Sequence, residues 1–359
     1  MKKWKVILGL CVLGVLLLGG FGVKTFYNAG EFKEVSSHFQ GQCQPVSGVL
    51  SSEDITIHPQ SGMAFISSDD RRPWFHGHPG KQGAIMGYDL KDRNKGLINL
   101  TRDFSREFHP HGIGLYIGPD GKSKLFVVNH TQKGHFVEIF DYEPGRLIHR
   151  ESIHSTLMHS PNDVLAVGPR SFYVTNDHGN TSSWGKKMEE FLQLFQSYVL
   201  YFDGQSFRKV AESLAYANGV NASPDGKTVY VAETVGRRID IFDRHVDSGA
   251  LKFKNRIELG TAPDNIELDE KGALWIGAHP KLLTFVKYSK DPTVPSPSQV
   301  LKVTVGANGN HKTEEIYLNS GRPLSGSSAA AVFGQTLLIG SVFDDRFMVC
   351  QMPGSQPIR

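Results

Sequence analysis

The chain has 359 residues, a formal net charge of +3 and 39% hydrophobic residues. That charge is small for the length and no basic stripe is present, so nucleic acid is excluded as an expected partner. No Pro/Ser linker or charge run divides the sequence beyond residue 30, which favours one closed all-β domain over two smaller ones.

The chain opens with Lys2, Lys3 and Lys5 ahead of an apolar run from Val6 to Val23. As a helix this run extends about 27 Å, nearly enough to span a bilayer. Basic residues on its N-terminal side keep that end in the cytoplasm, so everything beyond is expected to be exported. Gly20-Phe21-Gly22 makes a poor cleavage site and Ala29 stands alone. Residues 1–30 therefore read as a retained membrane anchor and stem, with secretion after cleavage as the alternative.

Residues 31–359 repeat one unit. Its clearest copy is Tyr216 to Thr234, in which Asn218-Gly219 opens a short strand, Pro224-Asp225-Gly226 turns the chain, and Thr228 to Ala232 runs back. Pro presets one backbone angle and Gly accepts a positive one, so the turn joins antiparallel strands. Equivalent copies begin at Glu53-Asp54, His111-Gly112, Asn162-Asp163 and Asp264-Asn265, and a weaker one at Ser327-Ser328. A period of roughly 45 to 65 residues suits a four-stranded propeller blade, which predicts an all-β fold, a six-bladed β-propeller.

Between two of these strands Trp184, Met188, Phe191, Leu192, Phe195, Tyr198 and Val199 fall at helical spacing. An inserted amphipathic helix over 184–200 is expected there, lying over one end of the propeller and capped by one of Thr181 to Ser183. Cys11 lies in the apolar run, whereas Cys43 and Cys350 stand at the two ends of the exported domain. A propeller joins its last blade to its first strand, and the exported compartment permits a disulfide between them. Asn99, Asn129, Asn180 and Asn221 begin glycosylation sequons that matter only in a eukaryotic source.

The first strand of each blade faces the central channel, so the residues that open it converge. Here they are Glu53, Asp54, His111, Asn162, Asp163, Asn218, Asp264 and Asn265, nearly all oxygen donors. Carboxylates mixed with Asn amides suit Ca2+ better than Zn2+, which draws on His or Cys. A transition-metal site at His76, His78, His109 and His111 is the weaker reading, because no further His or Cys stands at a matching offset.

The motifs Ser52-Glu53-Asp54, His111-Gly112-Ile113, Val127-Val128-Asn129-His130, Asn162-Asp163 through Gly168-Pro169, Thr175-Asn176-Asp177-His178, Ala217-Asn218-Gly219, Asp264-Asn265 and Gly277-Ala278-His279-Pro280 together resemble the paraoxonase/arylesterase family of calcium-dependent lactonases. The resemblance covers nearly the whole chain and implies a propeller with two calcium ions in its channel. It implies that Glu53, Asn162, Asn218, Asp264 and Asn265 hold a catalytic ion, and that Asp54, Asp163 and the Ile113 carbonyl hold a deeper structural one. It further implies that His111 acts on water with His130 tuning it, and that Cys43 pairs with Cys350. Ala278 and Tyr216 depart from the family pattern, where a Cys and a Phe are usual.

The reaction expected on this basis is opening of a lactone, or cleavage of an aryl ester, by water that His111 deprotonates. Direct attack by Asp264 is the other route considered. No Gly-x-Ser-x-Gly elbow is present. A sugar-lactone hydrolase of the gluconolactonase type and a non-catalytic, membrane-tethered calcium-binding propeller are the competing functions. Expected partners are a small lactone or ester, and membrane lipid met by the N-terminal anchor and the 184–200 helix.

Overall fold

The structure, a computed structural model, describes residues 2–75, 78, 80–306 and 309–353. Its strands form six antiparallel sheets of four strands each, and the six-bladed propeller expected from the repeats is what they build. The turn glycines Gly62, Gly121, Gly226, Gly272 and Gly334 have φ of 73°, 77°, 67°, 79° and 59°. These left-handed values are free of Cβ strain only in Gly, so the recurring turn residue is set by backbone geometry.

Five blades are built from consecutive strands, and the sixth is composite. It takes Ser327–Phe333, Thr336–Ser341 and Arg346–Gln351 from the C-terminal part and Gln42–Ser47 from the N-terminal part as its outer strand. Cys43 and Cys350 face each other in that outer pair and are joined as a disulfide. The ring closes through both main-chain pairing and a covalent bond. The six inner strands contact one another around the channel, each touching the next and the last touching the first.

Apolar side chains fill the space between adjacent blades. Phe126, Val128 and Ile139 of the second blade pack on Val164, Phe172 and Leu200 of the third. Strands such as Met63–Ser68 and Leu274–His279 are buried along their whole length, which is why they read as continuous apolar or small runs rather than alternating ones. Burying each large side chain contributes about 1.5–3 kcal/mol.

Among the described residues there are four α-helices: α1 (Lys2–Asn28), α2 (Arg72–Phe75), α3 (Ser183–Leu192) and α4 (Leu282–Lys290). Helix α1 is apolar and wholly unburied along its candidate membrane span. The other three each lie between the second and third strands of a blade. That connection falls at the end of the channel where the inner strands begin, so all three helices cover one mouth.

The inserted helix is shorter than its periodicity suggested. Ser182 caps it, with its hydroxyl accepting from the Gly185 N–H at 3.0 Å, as the candidate caps foresaw. It ends at Gln193, whose φ of 54° reverses the chain. Tyr198 and Val199 belong instead to the fully buried strand Ser197–Phe202. A run of consecutive apolar residues satisfies a helical template and a buried strand alike, and the end cap decides between them. Helix α4 was not anticipated.

The sequon at Asn129 is not a glycan site in this fold. Asn129 is 1% exposed, accepts from the His109 N–H at 2.8 Å and donates to Glu107 O and Glu138 Oε1.

Candidate active site

Every inner strand carries the same irregularity. Its ladder to the second strand shifts between Ser52 and Ile55, Pro110 and Ile113, Pro161 and Val164, Ala217 and Val220, Pro263 and Ile266, and Ser327 and Ala330. Such a bulge frees residues from the ladder and re-aims their side chains. The residues inside the bulges are Glu53-Asp54, His111-Gly112, Asn162-Asp163, Asn218-Gly219, Asp264-Asn265 and Ser328-Ala329. The five expected pairs thus occupy equivalent bulges, joined by Ser328, which sequence reasoning left out although it stands at the same place in the repeat.

Two of these bulges need glycine. A Cβ on Gly112 would lie 2.4 Å from Asp163 Cα, and one on Gly219 would lie 2.5 Å from Asp264 O. Neighbouring inner strands approach that closely only where a side chain is missing.

The three amides share one orientation. Asn162 donates Nδ2 to Asp177 Oδ2 at 3.3 Å, Asn218 to Thr234 Oγ1 at 3.0 Å, and Asn265 to Glu53 O at 3.0 Å and Glu53 Oε1 at 3.1 Å. In all three, Oδ1 is buried with no hydrogen-bond partner in the protein, and Glu53 Oε2 is in the same state. Tying the NH2 groups to the protein wall leaves four acceptor oxygens unsatisfied, and buried acceptors without partners are costly. The donor set fits a hard cation such as Ca2+. Among the described residues no three His, Cys, Asp or Glu side chains gather as a metal site by themselves, so the cradle depends on its Asn oxygens.

Asp54 and Asp163 form a second group. Asp54 accepts from Ile55 N at 2.8 Å and from Ile113 N of the next blade at 2.7 Å. Asp163 accepts from Val164 N and from Val220 N of its next blade, both at 2.7 Å. Both oxygens of each carboxylate accept, the pattern of an ionised group. Burial nevertheless pushes both well above the usual carboxylate range, and repulsion from Glu53 and between the two acids adds to it. Hydrogen bonds that want the anion thus stand in a site that disfavours it, a conflict that a bound cation would relieve.

Glu53 and Asp264 have their own partners. Burial works against the charge of Glu53, but His111 and then Arg71 bring its pKa down to about 2. Arg71 lies 3.7 Å from Glu53 and donates to Pro110 O at 2.8 Å. Asp264 is raised by burial, opposed by His279, whose Nε2 lies 2.8 Å from Asp264 Oδ2. His279 is in turn stacked on Phe285 of α4 with ring centroids 3.8 Å apart.

The expected histidines meet as well. His111 Nδ1 and His130 Nε2 are 2.8 Å apart, and His111 Nε2 lies 3.4 Å from Glu53 Oε1. Burial, followed by the charge of His111, lowers His130 well below the ordinary histidine value and keeps it neutral. His109 does not share a site with His111. Its Nδ1 meets Asp69 Oδ1 at 2.8 Å, and His76 lies outside the described residues, so the transition-metal reading gains no support.

Besides Ser328, the positions missed from sequence follow one rule. Asp177, Thr234 and His279 stand at or just beyond the end of a second strand, which runs antiparallel to the inner strand and so finishes beside its bulge. Each holds a bulge residue in place. Arg71 stands three residues beyond the second strand of the first blade.

Helix α3 is clamped beside this mouth. His178 lies 2.6 Å from Asp177 and 3.0 Å from Glu190, and buried Glu189 accepts from Gly179 N at 3.0 Å and Asn180 N at 2.6 Å. The Tyr216 ring packs edge-on against His178 at 5.0 Å. At the outer side, Asn28 at the end of α1 donates to Gln193 Oε1 at 2.8 Å. Trp184, Phe191 and Phe195 are 73%, 51% and 52% exposed, leaving an apolar face next to the end of α1.

The far mouth differs. A cavity of about 410 Å³ opens there, lined among others by Thr56, Ile113, Asp163, Asn221 and Glu267. It reaches Asp163 from behind but contains neither the histidines nor the free amide oxygens.

Comparison with known proteins points one way. Residues 32–352 match the Arylesterase family. The chain is 34% identical to rat serum paraoxonase/arylesterase 2 over 355 residues, covering 97% of this chain and 99% of that protein. It is also 34% identical to human serum paraoxonase/arylesterase 1, covering 94% and 98%, and 33% identical to human serum paraoxonase/lactonase 3, covering 97% and 99%. Among solved structures it is similar in fold to a luciferin-regenerating enzyme (TM-score 0.56, 13% identity, covering 89% and 97%). It is similar also to regucalcin from Agrobacterium tumefaciens (TM-score 0.53, 15% identity, covering 89% and 98%).

Proposed function

Because the chain belongs to the arylesterase family, to which the serum paraoxonases are its relatives, we propose that it is a calcium-dependent hydrolase that opens lactones and cleaves aryl esters in the helix-covered mouth of the channel. The observation that carries this reading is the common orientation of Asn162, Asn218 and Asn265, each with its NH2 tied back and its oxygen free. With Glu53 and Asp264 they are the residues that would hold a catalytic calcium. Asp54, Asp163 and the Ile113 carbonyl would hold a second, deeper ion. A calcium ion in the first set would polarise an ester carbonyl and offset the negative charge that grows on its oxygen during attack.

The remaining chemistry falls to the chain's own groups. His111 Nε2 takes a proton from water as that water adds to the carbonyl carbon, and returns it to the alkoxide that leaves. His130, held neutral by burial, accepts the Nδ1–H of His111 and keeps the ring turned toward the channel. Ser328 donates to the Glu53 main-chain carbonyl at 2.6 Å and steadies that bulge. Helices α2, α3 and α4 narrow the mouth and limit water. Asp264, aligned by His279, is the competing nucleophile.

Residues 1–30 form the anchor and stem and residues 31–359 the catalytic propeller. Helix α1 crosses the bilayer and the exposed apolar face of α3 rests on its outer surface, so the active mouth faces lipid on the exported side. The test is hydrolysis of γ- and δ-lactones and phenyl acetate by the full chain in detergent, with calcium and then with excess chelator. Calcium-dependent turnover that favours lactones is expected. Tight calcium binding with no turnover would overturn the enzymatic reading and leave a calcium-binding propeller.

A further inference from the structure

The chain that leaves α1 does not run free to the first blade. Ala29 and Gly30 are buried, and residues 28–33 are fastened to three elements around the helix-covered mouth. Asn28 reaches Gln193 at the end of α3. Lys33 Nζ donates to Gly260 O at 2.8 Å, two residues ahead of the inner strand Ala262–Leu268 that carries Asp264. Between these points Ala29 and Glu31 lie on the start of α4. The fit is close, since a Cβ on Gly30, whose φ is 74°, would stand 2.1 Å from Pro280 O.

Helix α4 brings no cap of its own. Its cap position is Lys281, whose side chain makes no capping hydrogen bond, although the first N–H groups of a helix need acceptors from outside it. The link from α1 supplies them. Leu282 N–H donates to Ala29 O at 2.8 Å. Thr284 N–H donates to Glu31 Oε1 at 3.0 Å, and the Thr284 hydroxyl donates to Glu31 Oε2 at 2.7 Å. Both carboxylate oxygens of Glu31 are thus engaged by one residue of the first turn, where a negative charge also suits the helix dipole. The role that Ser182 plays for α3 from the adjacent position falls here to a residue 253 positions away.

The residue after Thr284 reaches the site. Phe285 stacks on His279, whose Nε2 meets Asp264 Oδ2 and whose Nδ1 is buried without a hydrogen-bond partner. One hydrogen bond leaves a ring free to turn about its length, so the face of Phe285 fixes the plane of the imidazole. That plane sets the direction in which Asp264 is held, and groups that orient a ligand in this way tune its grip on a metal.

We infer that Glu31 is a positioning residue: by capping α4 from the chain that leaves α1, it holds Phe285 against His279 and so aims Asp264 into the channel. The inference rests on the reading of Asp264 as a calcium ligand, and it makes the link between anchor and propeller a part of the site.

The experiment compares Glu31→Ala, Glu31→Gln and Phe285→Ala with wild type, as full chains in detergent. It reads calcium affinity by titration calorimetry, amide exchange by mass spectrometry, and kcat and KM for phenyl acetate. In Glu31→Ala, exchange across residues 282–285 should quicken about fivefold, the usual effect of losing a cap, while exchange across α3 is unchanged. Calcium affinity should fall about 10-fold, and kcat at saturating calcium should fall with KM little changed. Gln at position 31 still accepts from the N–H and shares a hydrogen bond with the hydroxyl, so Glu31→Gln should recover most of these losses. Phe285→Ala should lower calcium affinity as far with Glu31 in place. Calcium affinity within twofold of wild type in either Ala variant, an equal loss in Glu31→Gln, or exchange that quickens in α3 as much as in α4 would overturn the proposal. A wild type that binds calcium without turnover would remove the hydrolase reading alone, while the calorimetric and exchange results still judge the positioning role. A wild type that binds no calcium would overturn both.

Discussion

The Asp54 carboxylate accepts the N–H of Ile55 in its own blade and that of Ile113 in the next, so one side chain sews two inner strands together at the channel wall. Asp163 repeats the arrangement between the third and fourth blades.

Asp54→Ala leaves two buried donors without an acceptor. At about 1–3 kcal/mol for each unsatisfied group, a loss of roughly 3 kcal/mol is expected in urea unfolding with calcium present. The gain in Tm that calcium gives the wild type should shrink in the same variant. An unchanged calcium-induced shift would place the deeper ion elsewhere.

Asp177 touches Asn162 through the amide NH2 alone. Asp177→Ala frees that amide to rotate, and loss of a partner that orients a ligand typically costs 10- to 100-fold in metal affinity, so a drop of about that size is expected in calcium titration calorimetry. An affinity equal to wild type would show that Asn162 needs no external partner.

The double variant His111→Gln, His130→Gln keeps every proposed calcium ligand. Calcium affinity should stay within about twofold while kcat for lactones falls by about 10² or more. Hydrolysis at the wild-type rate would move the attack to Asp264.

The clamp on α3 depends on pH through His178. Burial opposes its protonation, but Asp177 and Glu190 on either side overcome it and raise the pKa from 6.5 to about 9. A group raised on folding stabilises the fold fully below its unfolded value, and that contribution is lost as pH rises through the folded one. The attachment of α3 should be intact at pH 6 and loosen between pH 7 and 10. Amide exchange across residues 183–192 should quicken over that window, and His178→Gln should abolish the pH dependence.

Reduction of Cys43–Cys350, or Cys43→Ser, releases the outer strand of the composite blade. The two cysteines are 307 residues apart, and the chain-entropy model gives about 5 kcal/mol for so long a loop. Unfolding by urea should shift to lower concentration while far-UV circular dichroism of the native state is kept. No shift would mean that main-chain pairing alone closes the ring.

Much of this was written in the repeat. Turn glycines, paired polar residues at each blade start and cysteines at both ends are local signals, and their recurrence compensates for the weakness of any one. Legibility failed where one pattern serves two structures. Tyr198 and Val199 follow Trp184 at helical spacing, yet Gln193 turns the chain and they enter a buried strand. Segments without a repeat partner, such as α4 and Arg71, left no signal to compare.

By itself the sequence determined the blade count, the apolar N-terminal helix and the identity of the oxygen-bearing residues, because these depend on turn chemistry and apolar patterning within tens of residues; the closing disulfide was legible from the placement of Cys43 and Cys350 at the two ends of the repeated units. Only the tertiary structure decided which oxygens stay free. That depends on Asp177, Thr234 and Glu53 taking the amide N–H groups of Asn162, Asn218 and Asn265, and on six equivalent bulges turning those residues off their strand ladders. Asp177 and Thr234 reach their amides from beside the second strand of the same blade, whereas Glu53 reaches Asn265 from a different blade, and closing the ring is what brings that pair within hydrogen-bonding reach.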